Sequence, residues 1–411
     1  MLKKLTLSKW HCIIYLSLQL LLLPDSVYAA SKFSNVHMSG FIMQSYIKTE
    51  NNNFLGSSVG KGSLGYTEIG INGFVKVSPR LQFASQLLSR RAGKTDDGKP
   101  RVDFALLDYR LIDKSNYGLG LRMGRVKNPF GFYNETRDVS FTRENIILPQ
   151  SIYFERTRDL SVSSDAMHVY GHKQTTIGLF NGTFVVGMPR VTDENTEYAL
   201  LGDSKSGEFV AKPSLIGRVR FESNDSRITG AFSHVRLFLD YDPAESEAPS
   251  FNGNGEVDFK MNIFSLKYNL MRWSFVGEYA QRKVKSDGIA YIPSDANNKT
   301  GESFYVQSIF RFNHKWNVIA RYDVLYADKE DRDGMKFTKL LLAKQVAVKN
   351  YSRYAKDIML GVQFKMSRYW MSRLELHSVD GTAWLPKQDN ADESMIERKW
   401  KMLNYSMSYR F

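Results

Sequence analysis

The stretch YGLGLRMGRV at residues 117–126 decides the fold, because large apolar side chains alternate along most of it with small or polar ones. One face carries Tyr117, Leu119, Leu121 and Met123. The other face carries Gly118, Gly120, Arg122 and Gly124. Alternation with a period of two predicts a half-buried β-strand. If the strand crosses a bilayer, an arginine facing lipid at the centre costs about 2–4 kcal/mol, so Arg122 is predicted to point inward.

Segments with the same pattern recur on both sides of this stretch, each roughly ten residues long, and we distinguish about sixteen of them. Short turns such as residues 78–80 and 313–315 alternate with long polar loops such as residues 285–301 and 329–353. Because lipid offers no hydrogen-bond partner to an open sheet edge, strands in a membrane must close into a barrel. We therefore predict an all-β fold, a transmembrane antiparallel β-barrel whose long loops lie at the external end.

Residues 398–411 support this prediction, because large side chains alternate with smaller or polar ones up to the final residue. The outward face of this last strand is predicted to carry Leu403, Tyr405, Met407, Tyr409 and Phe411. A soluble protein gains nothing by exposing such a row. Trp273, Trp316 and Trp370 each begin a predicted strand after a short turn, where an aromatic girdle at the membrane interface is expected.

The pattern is less regular in three places. Strands near residues 166–170 and 175–187 are the weakest, and residues 91–101 are predicted to form a polar loop. Residues 257–270 change the face of their apolar side chains midway, which predicts a β-bulge.

The N-terminus has the pattern of a secretory signal peptide, predicted to span residues 1–29 and to be removed. Three lysines precede the apolar run 12–23, which is too short to span a bilayer and is followed by small residues at Ala29 and Ala30. The barrel is predicted to comprise residues 30–411. The only cysteine, Cys12, is lost with the peptide, so the mature chain has no disulfide, no cysteine-ligated zinc and no cysteine nucleophile.

Residues 127–165 form the longest stretch without alternation, and we call them the 127–165 segment. A loop of this length in a compact domain is usually functional. We predict that it is the third external loop and that it folds into the lumen as a constriction. Its basic residues, predicted to line the narrowest part of the pore, are Lys127, Arg137, Arg143, Arg156 and Arg158. The alternative is an ordinary solvated external loop.

The predicted inner face is basic but contains acidic residues as well. The inward basic residues named by the alternation are Arg122, Arg218, Arg220, Arg236, Arg311, Arg321, Lys365, Arg373 and Arg410. The inward carboxylates are Glu68, Asp108, Glu222, Asp240, Glu278, Asp323 and Glu375. Rings of arginine select anions, so a weak anion preference is predicted. In the alternative, opposite charges pair across strands and only stiffen the wall.

The signal peptide, the strand number, the long third loop and the sequence GRVKNPFG at residues 124–131 resemble Gram-negative outer-membrane porins. Within them the chain is similar to the phosphate-selective porin O and P group. The resemblance implies a homotrimer in the outer membrane, in contact with its lipid, that lets small hydrophilic or anionic solutes diffuse passively without a cofactor. The alternative function is a structural or adhesive barrel, non-conducting because the 127–165 segment plugs its lumen.

Catalytic, metal and nucleic-acid functions are not predicted. Neighbouring residues of a strand point to opposite faces, so Ser233 cannot pair with His234 as nucleophile and base. His168 and His172 have a spacing seen in metal sites on helices, but they lie beside a predicted turn. The arginines are spread along strands of an exported chain rather than clustered, which argues against nucleic-acid binding.

Overall fold

Sixteen antiparallel strands form the wall of the protein in a computed structural model, and each is hydrogen-bonded to the next along the chain. The structure describes residues 36–191, 194–247, 254–290 and 298–411. The predicted signal peptide, residues 1–29, lies outside these described residues.

The strands are 11 to 17 residues long. Their bounds are β1 Val36–Thr49, β2 Ser63–Lys76, β3 Leu81–Ala92, β4 Asp97–Asp113, β5 Tyr117–Lys127, β6 Ser163–Gln174, β7 Gly178–Pro189, β8 Glu208–Ser223, β9 Ile228–Asp242, β10 Gly255–Asn269, β11 Trp273–Asp287, β12 Lys299–Arg311, β13 Trp316–Tyr326, β14 Tyr354–Lys365, β15 Trp370–Gly381 and β16 Lys399–Arg410.

The sheet is closed, because the last strand pairs with the first. Strand β16 runs antiparallel to β1, from the pair Phe41 and Arg410 to the pair Thr49 and Met402. Every strand therefore has two hydrogen-bonded neighbours, which is the arrangement that a lipid environment demands. The predicted antiparallel barrel is confirmed.

Side chains alternate between the two faces of this wall as expected. In β16, Asn404 and Ser406 are fully buried on the inner face, whereas Tyr405 between them is 40% exposed on the outer face. Trp316 begins β13, as predicted, and stacks on Phe364 of β14 with ring centroids 4.2 Å apart. The outer face is thus apolar and the inner face largely polar over most of the wall.

Helices are few and short. They are α1 Arg158–Val162, α2 Asn195–Leu200 and α3 Met335–Ala343, with 3-10 turns at Ser140–Thr142, Asn350–Arg353 and Glu393–Met395. Within the described ranges, no helix has both the length and the apolar character that crossing a membrane would require.

Two predicted boundaries differ from the structure. Residues 91–101 are largely strand, because β3 continues to Ala92 and β4 begins at Asp97, leaving a tight connection. The register of this hairpin shifts between Gln86 and Leu87 and again between Ser89 and Arg91. The weak strands near 166–170 and 175–187 are full-length in the structure.

The predicted β-bulge in β10 is wrong. Its pairing with β9 and β11 proceeds without a register shift. Val257 and Met261 are buried on the same inner face as Ile263 and Ser265. The apolar residues seemed to change face because the inner face itself turns apolar toward the external end of the strand.

The same inversion makes the predicted orientation of β9 wrong. Val235, Leu237 and Leu239 point inward and are 2–3% exposed. Arg236 instead points outward, where its guanidinium lies 3.1 Å from the carboxylate of Asp258 on β10. Strand β9 has 15 residues, more than the 9–11 that a tilted strand needs to cross a bilayer. Its external end can therefore carry charge on the outer face without contacting hydrocarbon.

Candidate pore constriction

The 127–165 segment begins with a turn that only glycine fits. Gly131 has φ +56°, and a side chain there would collide with the Tyr153 hydroxyl and the Glu278 carboxylate. The adjacent Asn128 is fully buried: its amide donates to the carbonyl of Ser161 at 3.0 Å, and its side-chain oxygen accepts from Ser164 at 2.8 Å. These two bonds tie the start of the segment to its end.

Glu278 of β11 is the segment's anchor on one side of the barrel. The backbone N–H of Phe132 donates to its carboxylate at 2.9 Å, and the hydroxyl of Tyr153 donates at 2.6 Å. From the wall, Ser265 and Tyr305 donate to the same carboxylate at 2.6 and 2.9 Å. A buried carboxylate with this many donors fixes the position of the groups around it.

Strands β2 and β3 supply a second anchor. Arg143 of the segment donates to Glu68 at 2.5 Å and to the hydroxyl of Tyr66 at 3.3 Å. Arg90 of β3 forms ion pairs with both Glu68 and Glu155, and Arg137 of the segment lies 3.1 Å from Glu155. This is a buried network in which arginines and carboxylates alternate.

Strands β13 and β15 supply a third anchor, largely through backbone groups of the segment. Arg321 donates to the carbonyl of Ile147 at 3.0 Å, and Arg373 donates to the carbonyl of Arg143 at 2.8 Å. The N–H of Ile146 donates to Glu375 at 2.6 Å. The segment is thus hydrogen-bonded to inner-face groups of strands from separate parts of the closed wall.

Charge within the segment is largely compensated. Lys127 lies 2.5 Å from Asp103 and also contacts Asp138, which pairs with Arg158. Burial alone would raise the pKa of Glu155, but Arg90 and Arg137 lower it further than burial raises it, so the pKa lies below the usual value. These groups therefore act first as a scaffold for the segment.

The predicted pore residues fall into three groups. Carboxylates lie within 4 Å of Lys127, Arg122, Arg137, Arg143, Arg158, Arg218, Arg220 and Arg321. Arg236 was expected in the lumen and lies on the outer face. Among the residues that the structure describes, no ion-pair partner is found for Arg156, Arg311 or Arg373.

Two arginines of this region were not predicted from the sequence. Arg90 is 2% exposed and joins the segment to the wall. It lies on the same face of β3 as the buried Leu88 and Ala92, and these apolar neighbours obscure the alternation in the sequence. Arg282 is 8% exposed on the inner face of β11. Its partners could not have been found from the sequence, because they lie in the segment more than a hundred residues away.

Metal ligands are not gathered at any point of the described ranges, where no group of three or more His, Cys, Asp or Glu side chains could hold an ion. His168 and His172 lie within β6 rather than beside a turn.

Comparison with known proteins gives a likeness of fold. No protein-family model matches the chain, and no curated protein matches it in sequence. An anion-selective porin from Comamonas acidovorans has a TM-score of 0.58 at 11% identity, covering 92% of this chain and 99% of that one. OmpF of Salmonella typhi, solved in complex with daunomycin, has a TM-score of 0.53 at 12% identity, with 92% and 98% covered.

OmpT of Vibrio cholerae, an outer-membrane protein solved in a trimer form, also has a TM-score of 0.53, at 10% identity, with 92% and 99% covered. At these identities the comparisons show that the chain has the sixteen-strand barrel fold of outer-membrane porins. They show nothing further about its substrate.

Proposed function

We propose that the protein is an outer-membrane porin, a passive diffusion channel for small hydrophilic solutes that the 127–165 segment narrows. The observation that carries the proposal is the bonding of this segment to the inner faces of β2, β3, β11, β13 and β15 within a closed barrel. In the proposed channel, a segment held in this way narrows the lumen and the remaining space is left to water and solutes.

The proposal includes a weak preference for anions. Most lumen arginines already have a carboxylate partner, so their net contribution to the field is small. The preference therefore depends on the cations without an ion pair in the described chain, chiefly Arg156, Arg282 and Arg311. An anion-selective porin among the proteins of similar fold supports this direction. Selectivity for phosphate, as in the porin O and P group, and a homotrimer are further parts of the proposal.

A second candidate is a structural barrel that does not conduct. It is favoured by the depth of burial of the segment, in which Asn134, Ser140, Ile146 and Tyr153 have no exposed surface. If the segment closes the lumen completely, the ion pairs around it serve only stability.

Single-channel recording in a planar bilayer separates the two functions. We expect current steps that are proportional to the applied voltage. Across a tenfold KCl gradient, we expect the reversal potential to have the sign that chloride permeation gives. A bilayer that stays silent after insertion of folded protein would favour the plugged barrel. A cation-selective reversal potential would remove the anion preference while leaving the channel.

A further inference from the structure

A cavity of about 680 Å³ lies inside the external half of the barrel, between the 127–165 segment and the inner faces of β9, β10 and β11. Its volume falls within the range of about 300–1,000 Å³ that is usual for small-molecule sites. It is separate from the anchors described above, because most of its lining side chains take no part in them.

The walls of this cavity are mainly apolar. On the strand side they include Leu237, Val257 and Met261, each less than 5% exposed, and on the segment side they include Phe130 and Ile152. Because the inner faces of β9 and β10 are apolar at their external ends, an apolar surface faces the lumen there. Such a surface favours the binding of an apolar group, because that group leaves water on binding.

The charged side chains that line the cavity are almost all cationic. Among the residues that the structure describes, they are Arg156, Arg282, Lys299, Lys349, Arg353 and Lys387, against the single acid Glu393. Glu393 pairs with Lys387 at 2.9 Å, and Lys299 pairs with Asp328 at 3.5 Å. The excess positive charge therefore comes from the arginines and Lys349.

Arg156 is partly exposed and Arg282 is 8% exposed, and both lack the carboxylate partner that most arginines of the lumen have. Arg282 donates to the carbonyl of Ser151 at 3.3 Å and lies 4.5 Å from the centre of the Phe154 ring, and no carboxylate of the described chain is within ion-pair distance. The Nε of Arg156 is buried without a hydrogen-bond partner. Arg143 and Arg137, which are more deeply buried, each contact a carboxylate. Leaving buried cations uncompensated is costly, and an anion from outside would remove that cost.

We propose that this cavity binds a soluble amphipathic anion, with a ring or short alkyl body against Leu237, Val257 and Met261. A sulfonate, carboxylate or phosphate group of the ligand would lie between Arg156 and Arg282. Guanidinium groups suit such oxyanions because their N–H groups form paired donors.

The charge of Arg156 persists at neutral pH. Burial and the neighbouring Arg353 lower the pKa of Arg156 to about 10, which still leaves the guanidinium protonated at pH 7. The lipid phase cannot supply the ligand through the wall, because β9, β10 and β11 are continuously hydrogen-bonded to one another. The occupant is therefore a free solute that arrives through the lumen.

Binding is tested with the full mature chain folded in phosphatidylcholine nanodiscs, by isothermal titration calorimetry with empty nanodiscs as the blank. The probe is naphthalene-2-sulfonate. Uncharged 2-naphthol tests whether the charge matters, and methanesulfonate tests whether the apolar body matters. We expect saturable binding of one naphthalene-2-sulfonate per chain. Binding of 2-naphthol should be at least about tenfold weaker, because a hydrogen bond to a charged group is worth that much. Binding of methanesulfonate should also be at least about tenfold weaker, because it lacks the apolar ring that the cavity removes from water.

Variants locate the site. Arg156→Gln and Arg282→Gln should each weaken sulfonate binding about tenfold. Met261→Trp, which places a larger side chain in the apolar part of the cavity, should weaken it as well. The matched control is Arg236→Gln, which removes an arginine from the outer face of the same wall and should change affinity less than twofold. Circular dichroism confirms that each variant retains its β-sheet.

The proposal is overturned if 2-naphthol binds as tightly as the sulfonate in the unaltered protein, a comparison that does not depend on any variant folding. Unchanged affinity in both arginine variants would overturn it too. If phosphatidylglycerol in the nanodiscs competes with the probe, the cavity takes lipid and the free-solute assignment fails. Binding is measured without conduction, so these outcomes are independent of whether the protein is a channel.

Discussion

Replacing Arg143 by methionine should release one side of the 127–165 segment. Arg143 is 4% exposed and donates to Glu68 at 2.5 Å, to the Tyr66 hydroxyl at 3.3 Å and to the carbonyl of Arg137 at 3.0 Å. Removing one partner of a buried ion pair costs about 3–5 kcal/mol. Glu68 keeps Arg90 at 3.4 Å, so we expect a loss of about 3 kcal/mol, at the lower end of this range.

The assay is urea unfolding of the protein in lipid vesicles, followed by tryptophan fluorescence, together with single-channel recording. The control is Arg110→Gln, because Arg110 pairs with Asp113 at 3.1 Å on an exposed surface where such pairs contribute about 0–1 kcal/mol. In Arg143→Met channels we expect greater conductance or rapid fluctuations between levels. If Arg143→Met lowers the free energy of unfolding no more than Arg110→Gln does, the ion pair does not hold the segment and the reasoning is refuted.

Three further outcomes follow from the structure. Neighbouring arginines hold the pKa of Glu155 below 4.5 in the folded state despite burial. The unfolded state therefore binds more protons at Glu155, and the stabilisation from this carboxylate disappears as the pH falls below 4.5. The unfolding midpoints of Glu155→Gln and of the unaltered protein should accordingly converge between about pH 7 and about pH 3. Gly131→Val should destabilise the barrel and alter conductance, whereas Gly182→Val, where an added Cβ meets nothing within 4 Å, should do neither. Arg282→Gln should reduce the anion preference measured from reversal potentials, and equal reduction by the outward-facing Arg236→Gln would contradict the assignment of faces.

The strands could be predicted because lipid imposes a rule on every residue of the wall. The alternation in β5 and β16 is visible in the sequence, and closure follows from the cost of an open edge. The rule holds only for the part of each strand that contacts lipid. In β9 it still separates Arg236 from Val235 and Leu237, but it names the wrong face, because the external end of this strand has an apolar interior and a charged exterior.

The partners of the segment could not be predicted, for a different reason. The sequence identified Arg143 as a basic residue of a long loop, yet its partner Glu68 is 75 residues away. The pairing of Ile146 with Glu375 spans 229 residues. No local pattern specifies which wall carboxylate meets which loop group, since that depends on the path of the loop across the lumen. The sequence therefore identified the basic residues but not the carboxylates with which they pair.

The wide spacing of these anchors along the chain has a consequence for assembly. Glu68 belongs to the second strand, Glu278 to the eleventh and Glu375 to the fifteenth. The groups of the 127–165 segment that donate to them all lie within residues 132–153. During insertion the loop cannot reach its final position until nearly all strands of the wall have formed and paired. Ordering of this loop should thus be among the last events of folding, and its protection from protease would mark a finished barrel.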